Sequence, residues 1–207
     1  DYVISNNSGS PVAVQSTNQT LYLGSKSEAG YNDGLDPVLI FELPVLPANT
    51  SVTAAQLEIF AARQFTFADV DLWAIGIQGS TDPILEYHED EPLAGNVKLQ
   101  DRLMDYGLAA LPTYTTVTSS LASGLAPYLR DFYESNPTYT GGQYLFLRIN
   151  ADINPLDQPS QGNDNSNFRV TSADSVGEEP ILHIEHTPLA DGGKEFYRVR
   201  YGISNVE

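Results

Sequence analysis

The sequence predicts an all-β protein, an antiparallel β-sandwich of jelly-roll type with one helix in a crossover connection. Short runs of β-branched and aromatic residues alternate along the chain with clusters of Gly, Pro, Asn and Asp, which is typical of strands joined by turns. Several runs alternate apolar and polar residues, and this pattern favours antiparallel sheets with one buried and one solvated face. A helical period occurs in one segment, which argues against repeated βαβ units.

Ten segments are predicted as strands from their β-branched and aromatic content. In the fourth, leucine and phenylalanine share one face and Glu42 lies on the other, and in the fifth the apolar residues face inward while Glu58 faces outward. The Asp33-Gly34 pair predicts a tight turn before the fourth strand. The predicted strands cover residues 2–5, 12–15, 20–24, 37–43, 51–62, 68–77, 143–150, 167–171, 180–187 and 195–201.

One amphipathic helix is predicted over residues 124–134. Apolar side chains recur there at helical intervals and end at Phe132. Ser123 is the predicted N-cap, and the Asn136-Pro137 pair ends the helix because proline disfavours the helical conformation of the residue before it. We expect this helix to connect two strands across the sandwich.

Composition limits both the architecture and the partners of the chain. A chain of 207 residues can bury most of its apolar surface in one core, so we predict one domain over residues 1–207, with 188–207 as part of it or as a last strand and tail. The absence of cysteine excludes disulfides and thiolate metal sites. Lys and Arg number 10 against 27 Asp and Glu, a net charge of −17, which opposes binding to nucleic acid. No stretch approaches the ~20 apolar residues of a membrane span, so no membrane insertion is predicted.

Three segments resemble a known family. Residues 41–59 read FELPVLPANTSVTAAQLEI, a strand, a proline-containing turn and an Ala-x-Leu-x-Ile strand; residues 143–149 read QYLFLRI; and residues 168–184 read FRVTSADSVGEEPILHI. In this order they resemble the DNRLRE-type domains, jelly-roll modules of secreted bacterial and archaeal proteins, some classed as alginate-binding carbohydrate-binding modules. The resemblance implies a non-catalytic, secreted or cell-surface bacterial module that binds a polysaccharide or neighbouring domains of a larger extracellular protein. The family's name motif is absent, so no site residue is carried over.

Aromatic side chains are the predicted ligand-binding residues, because rings stack on the apolar face of a pyranose while polar neighbours bind its hydroxyl groups. The candidates are Tyr31, Trp73, Tyr87, Tyr114 and Tyr139. Trp73 has a second interpretation as a core residue, since a sandwich tryptophan is usually buried.

Charge indicates which glycan such a site would accept. An alginate-like polyanion would meet a repulsive field unless the few basic residues gather in one place, so a neutral glycan is predicted. The basic residues that could gather are Lys26, Arg63, Lys98, Arg102 and Arg148.

A structural calcium ion is predicted as a possible cofactor. Asp152, Asn154 and Asp157, followed by further Asn and Asp at 163–167, supply the hard oxygen ligands that calcium prefers. The same residue types also form turns by bonding their own backbone, and both interpretations stay open.

No catalytic residue is assigned. The acidic run from Glu86 to Glu91 could serve as a metal or acid–base site or as a solvated surface, and His183 and His186 lie three apart in a strand, so they face opposite ways. Two further functions remain: a purely structural or adhesive domain, and a polysaccharide-degrading enzyme in which Tyr, His and Arg, or two carboxylates, converge in a cleft.

Overall fold

The computed structural model describes residues 1–7, 10–14, 20–28, 31–63, 70–85, 96–104, 115–151, 168–188 and 195–200. In these ranges the chain forms twelve antiparallel strands in two sheets and one helix, which confirms the predicted all-β sandwich. The elements are β1 (Tyr2–Asn7), β2 (Ser10–Val14), β3 (Thr20–Glu28), β4 (Tyr31–Glu42), β5 (Thr50–Arg63), β6 (Val70–Gln78), β7 (Val97–Met104), β8 (Thr115–Thr118), α1 (Leu125–Ser135), β9 (Tyr144–Ala151), β10 (Phe168–Thr171), β11 (Ile181–Pro188) and β12 (Glu195–Arg200).

The chain passes repeatedly from one sheet to the other. In the first sheet β2 pairs with β1, β1 with β4, β4 with β9, β9 with β6, and β6 with β7. In the second sheet β12 pairs with β11, β11 with β5, β5 with both β10 and β8, and β10 with β3. Strand β3 belongs to both sheets, because residues 20–23 pair with β10 and residues 24–28 pair with β4.

The main core lies between the two sheets and beneath the helix. Strand β5 has the predicted alternation: Leu57 and Ile59 are buried in this core, and Glu58 lies on the other face, 3.1 Å from the His183 ring. The helix side chains Leu125 and Leu129 are also fully buried in it. Burial of a leucine side chain contributes about 1.5–3 kcal/mol, so this amphipathic face secures the helix against the sandwich.

The helix crosses from β8 in the second sheet to β9 in the first, as predicted, and starts one residue later. Its N-cap is Gly124, with no side-chain cap, so the prediction of Ser123 as N-cap was wrong. Gly124 donates its N–H to the Leu99 carbonyl at 2.6 Å, and a β-carbon there would lie 3.3 Å from the Leu99 backbone. The close approach of β7 therefore favours glycine at this position.

None of the helices in the described ranges has both the length and the apolar content needed to cross a bilayer.

Two other sequence expectations need correction. Asp33 and Gly34 do not form a turn but lie within β4, where they pair with Lys26 and Ser25. The antiparallel pairing of β3 with β4 starts at Glu28 and Tyr31, so the chain has already reversed direction before it reaches Asp33. Strands β7 and β8 were not predicted.

Burial of the first sheet also differs from expectation. Residues 35–41, 70–75 and 145–150 are buried without alternation, because the outer face of this sheet carries a second apolar cluster. Tyr2, Val38, Trp73 and Phe146 belong to it. Ile84 supplies part of the cover, with its backbone N–H donating to the Tyr2 hydroxyl at 2.9 Å.

Candidate functional site

Of the five predicted ligand-binding aromatic residues, Tyr139 lies at an open cleft. Trp73 is only 2 % exposed and presents no ring face to solvent, because it lies on the buried outer face of the first sheet. Tyr31 is the first residue of β4. Tyr87 and Tyr114 lie outside the described residues.

The predicted calcium ligands Asp152, Asn154 and Asp157 also lie outside the described residues, so the calcium ion stays a prediction. The same holds for the acidic run 86–91. Within the described ranges, no three His, Asp or Glu side chains come together as a metal site would need.

The cleft has a volume of about 270 Å³ and lies where the turn from β4 to β5 meets the C-terminal end of α1. Residues 46–50 form one wall. The described lining on the other side is Tyr133, Glu134, Asn136, Pro137 and Tyr139. The two walls are distant in sequence and are brought together because the inner face of α1 is buried against the core.

Three aromatic rings support the cleft. Phe132, Tyr133 and Tyr139 contact one another edge to face, with centroids 5.2 to 5.8 Å apart, the geometry that aromatic quadrupoles favour. The Tyr133 hydroxyl donates to the Pro44 carbonyl at 2.7 Å, and the Tyr139 hydroxyl donates to the Leu43 carbonyl at 2.8 Å. These bonds fix both rings relative to the β4–β5 turn.

Both phenols stay neutral under physiological conditions. Burial raises the pKa of Tyr133, and the neighbouring Tyr139 raises it further. Burial also raises the pKa of Tyr139; its contact with the Gln143 backbone opposes this, whereas Glu42 and Tyr144 add to it. The hydroxyl groups therefore remain hydrogen-bond donors to the turn.

Polar groups surround the rings. Asn49 has φ = 60°, a left-handed conformation in which asparagine is enriched, and Thr50 Oγ1 donates to the Pro47 carbonyl at 2.7 Å. Asn136 caps the helix, with Nδ2 donating to the Phe132 carbonyl at 2.8 Å. Glu134 is exposed, and its Oε1 accepts a long bond of 3.5 Å from Ser51 Oγ. The cleft thus combines a tyrosine ring with amide and carboxylate groups, which can hydrogen-bond to a polyhydroxylated ligand.

A second cluster of charged groups surrounds Trp73 on the outer face of the first sheet. Lys98 Nζ lies 5.3 Å and Arg148 Cζ 5.9 Å from the Trp73 ring centroid, within reach of cation–π attraction. Lys98 Nζ is also 2.6 Å from Asp71 Oδ2. Although burial lowers the pKa of Lys98, its bonds with Asp71 and Asp101 outweigh this and raise it.

Arg148, the second cation of this cluster, lies near Asp36. Both residues are almost completely buried, Asp36 being 1 % and Arg148 0 % exposed. Burial raises the pKa of Asp36 to about 7, against the opposing charge of Arg148. Three of the five basic residues thus lie close together, since Arg102 and Lys98 both contact Asp101. Acids accompany them and Arg148 is buried, so they form no open basic surface.

His183 and His186 lie on opposite faces of β11, as the alternation of side chains along a strand predicts. His183 is half-buried and contacts Glu58, whereas His186 is buried on the opposite face of β11. Sequence reasoning missed Asn49, Tyr133 and Asn136 at the cleft. The only local signals for them were a turn between two strands and the Asn-Pro pair at the helix end.

In comparisons with known proteins, no family model matches the chain and no curated protein matches it. The resemblance to DNRLRE-type domains therefore stays a prediction, and what it implies about function is a proposal.

Proposed function

We propose that this chain is a non-catalytic, secreted or cell-surface module that binds a polysaccharide, and that the cleft at the C-terminal end of α1 is its binding site. The observation that carries the proposal is the position of the half-buried Tyr139 ring in an open cleft whose walls supply amide, hydroxyl and carboxylate groups. Secretion and polysaccharide binding in general are supported by the resemblance to carbohydrate-binding jelly-roll modules.

The size of the cleft suits one sugar ring of a longer chain. Its volume of about 270 Å³ is slightly below the ~300–1,000 Å³ of sites that enclose a drug-sized ligand. The rigid placement of Tyr139 by Leu43 and of Asn136 by Phe132 lowers the ordering cost of binding.

Affinity gel electrophoresis against a panel of soluble polysaccharides tests the proposal, with oligosaccharide titration for any that retards the protein. Tyr139→Ala removes the ring, and Asn49→Gly removes the amide while keeping a residue that tolerates φ = 60°. Each is expected to weaken binding about tenfold, the equivalent of one lost contact of about 1.4 kcal/mol. Val45→Ala, on the same turn and exposed, is the matched control.

Circular dichroism and thermal unfolding establish that each variant is folded. If no polysaccharide retards the protein, or if folded Tyr139→Ala and Asn49→Gly bind as tightly as Val45→Ala, the cleft is not a glycan site. A purely structural or adhesive domain would then be the better interpretation.

A further inference from the structure

We infer that the cleft discriminates by charge and prefers a glycan that carries protonated amino groups over one that carries carboxylates. This inference rests on the proposed function, because it names the class of glycan for the same cleft.

The described lining of the cleft contains one acidic side chain, that of Glu134, and no Lys, Arg or His. Glu134 is exposed, and the hydrogen bond that its carboxylate accepts from Ser51 is long, at 3.5 Å. A carboxylate has about four acceptor positions, so Glu134 can accept further hydrogen bonds from a ligand.

The end of the helix adds negative potential at the same place. The last carbonyl groups of a helix carry a partial negative charge that favours cations, and the last turn of α1 contains no basic residue. Asn136 satisfies the carbonyls of Phe132 and Tyr133 through its side chain and backbone. The carbonyls of Glu134 and Ser135 accept no hydrogen bond within the part of the chain that the structure describes.

The charged neighbours that the structure describes do not reverse this potential. The charge of Glu42 acts at Tyr139, where it raises the pKa of the phenol. Arg130, the one basic residue of α1, donates Nε to the Val52 carbonyl at 2.9 Å and does not belong to the described lining. An ammonium group on a sugar would therefore meet acceptors, and the carboxylate of a uronic acid would be repelled.

The test compares three oligosaccharide series of equal length by isothermal titration calorimetry: glucosamine oligomers below the pKa of their amines, N-acetylated neutral oligomers, and uronic acid oligomers. We expect the amino series to bind about two- to fivefold more tightly than the neutral one, as for one solvent-exposed ion pair. The uronic series is expected to bind least. Glu134→Gln should remove most of this preference and leave only the contribution of the helix end, and added salt should also reduce it.

Asp131→Asn is the matched control, because it removes the same charge from an exposed position of α1 outside the described lining. Equal affinity for amino and neutral oligomers, or equal effects of Glu134→Gln and Asp131→Asn, would overturn the charge inference while leaving glycan binding in place. Binding of none of the three series, with no effect of Tyr139→Ala on any glycan, would instead overturn the proposed function.

Discussion

Replacement of Asp36 by asparagine tests whether burial or the neighbouring Arg148 decides the ionisation of this carboxyl group. Asp36 is 1 % exposed, and neither of its oxygens accepts a hydrogen bond within the described part of the chain. Burial raises its pKa from the ordinary 3.8 to about 7, although Arg148 acts in the opposite direction. Desolvation therefore outweighs the attraction of the arginine.

The consequence is a defined pH dependence of stability. Below pH 3.8 the group is protonated in both the folded and the unfolded chain, so the stabilisation is fully present. As the pH rises from about 4 to about 7, the unfolded chain loses the proton first and the free energy of unfolding falls. Above the folded pKa no further loss occurs. At about 1.4 kcal/mol per pH unit, the rise from 3.8 to about 7 corresponds to about 4 kcal/mol.

Urea unfolding between pH 4 and pH 8 measures this effect. Trp73 is the only tryptophan of the chain and is buried, so its fluorescence reports on the first sheet, and circular dichroism provides a second probe. Asparagine is nearly isosteric with the protonated acid. Asp36→Asn should therefore match the wild type near pH 4 and exceed its free energy of unfolding by up to about 4 kcal/mol at pH 8.

A protein with net charge −17 also loses stability with rising pH through general repulsion, so the comparison needs a variant with the same change in charge. Asp131→Asn removes one negative charge from the exposed face of α1 and should run nearly parallel to the wild type. If the Asp36→Asn and Asp131→Asn curves are parallel to each other, burial does not control the ionisation of Asp36 and the reasoning fails.

Two further substitutions test contacts that hold the sandwich together. Ser119→Ala should lower the free energy of unfolding by about 1–3 kcal/mol in urea denaturation, because the buried Ser119 Oγ accepts the Leu57 N–H at 2.8 Å. A loss no greater than that of exposed Ser120→Ala would contradict this. Lys98→Ala should lower the free energy of unfolding by about 2–3 kcal/mol, because it leaves the buried Asp71 carboxylate without the ammonium group that lies 2.6 Å away. This loss is smaller than the about 3–5 kcal/mol for a fully buried pair, since Lys98 is partly exposed. The cost should shrink in an Asp71→Asn background, and an unchanged cost would refute the pairing.

Strands β4, β5 and β7 illustrate how much of the fold could be predicted from sequence. In β5 the outward-facing Gln56 and Glu58 are polar between buried Leu57 and Ile59, so the alternation reports correctly on burial there. In β4 the outward Val38 and Ile40 are also apolar, and a continuous apolar run is typical of a strand buried on both faces. In β7 the pairing with β6 shifts register and Arg102 has φ = 56°, so the bulged strand loses the period of two on which prediction depends.

The cleft was less accessible to sequence reasoning because its walls come from distant segments. Tyr139 was predicted as a ligand-binding residue because tyrosines are numerous in this chain. No sequence pattern around Tyr133 distinguishes it from any other buried helix residue. Its hydroxyl reaches the Pro44 carbonyl across 89 positions of sequence. Such a contact depends on how α1 packs against β5. The helical period predicts that one face of the helix is buried, but it does not predict which strand covers that face.

The net charge of −17 has different consequences over the whole chain and at the cleft. At physiological ionic strength the Debye length is about 8 Å, so most of the carboxylates are screened from a ligand bound there. The groups that act on it most strongly are those at the cleft itself, above all Glu134 and the end of α1. A general repulsion of polyanions would respond equally to the loss of any exposed carboxylate. Selection by the cleft must instead respond to Glu134 more than to Asp131, because only Glu134 belongs to the described lining.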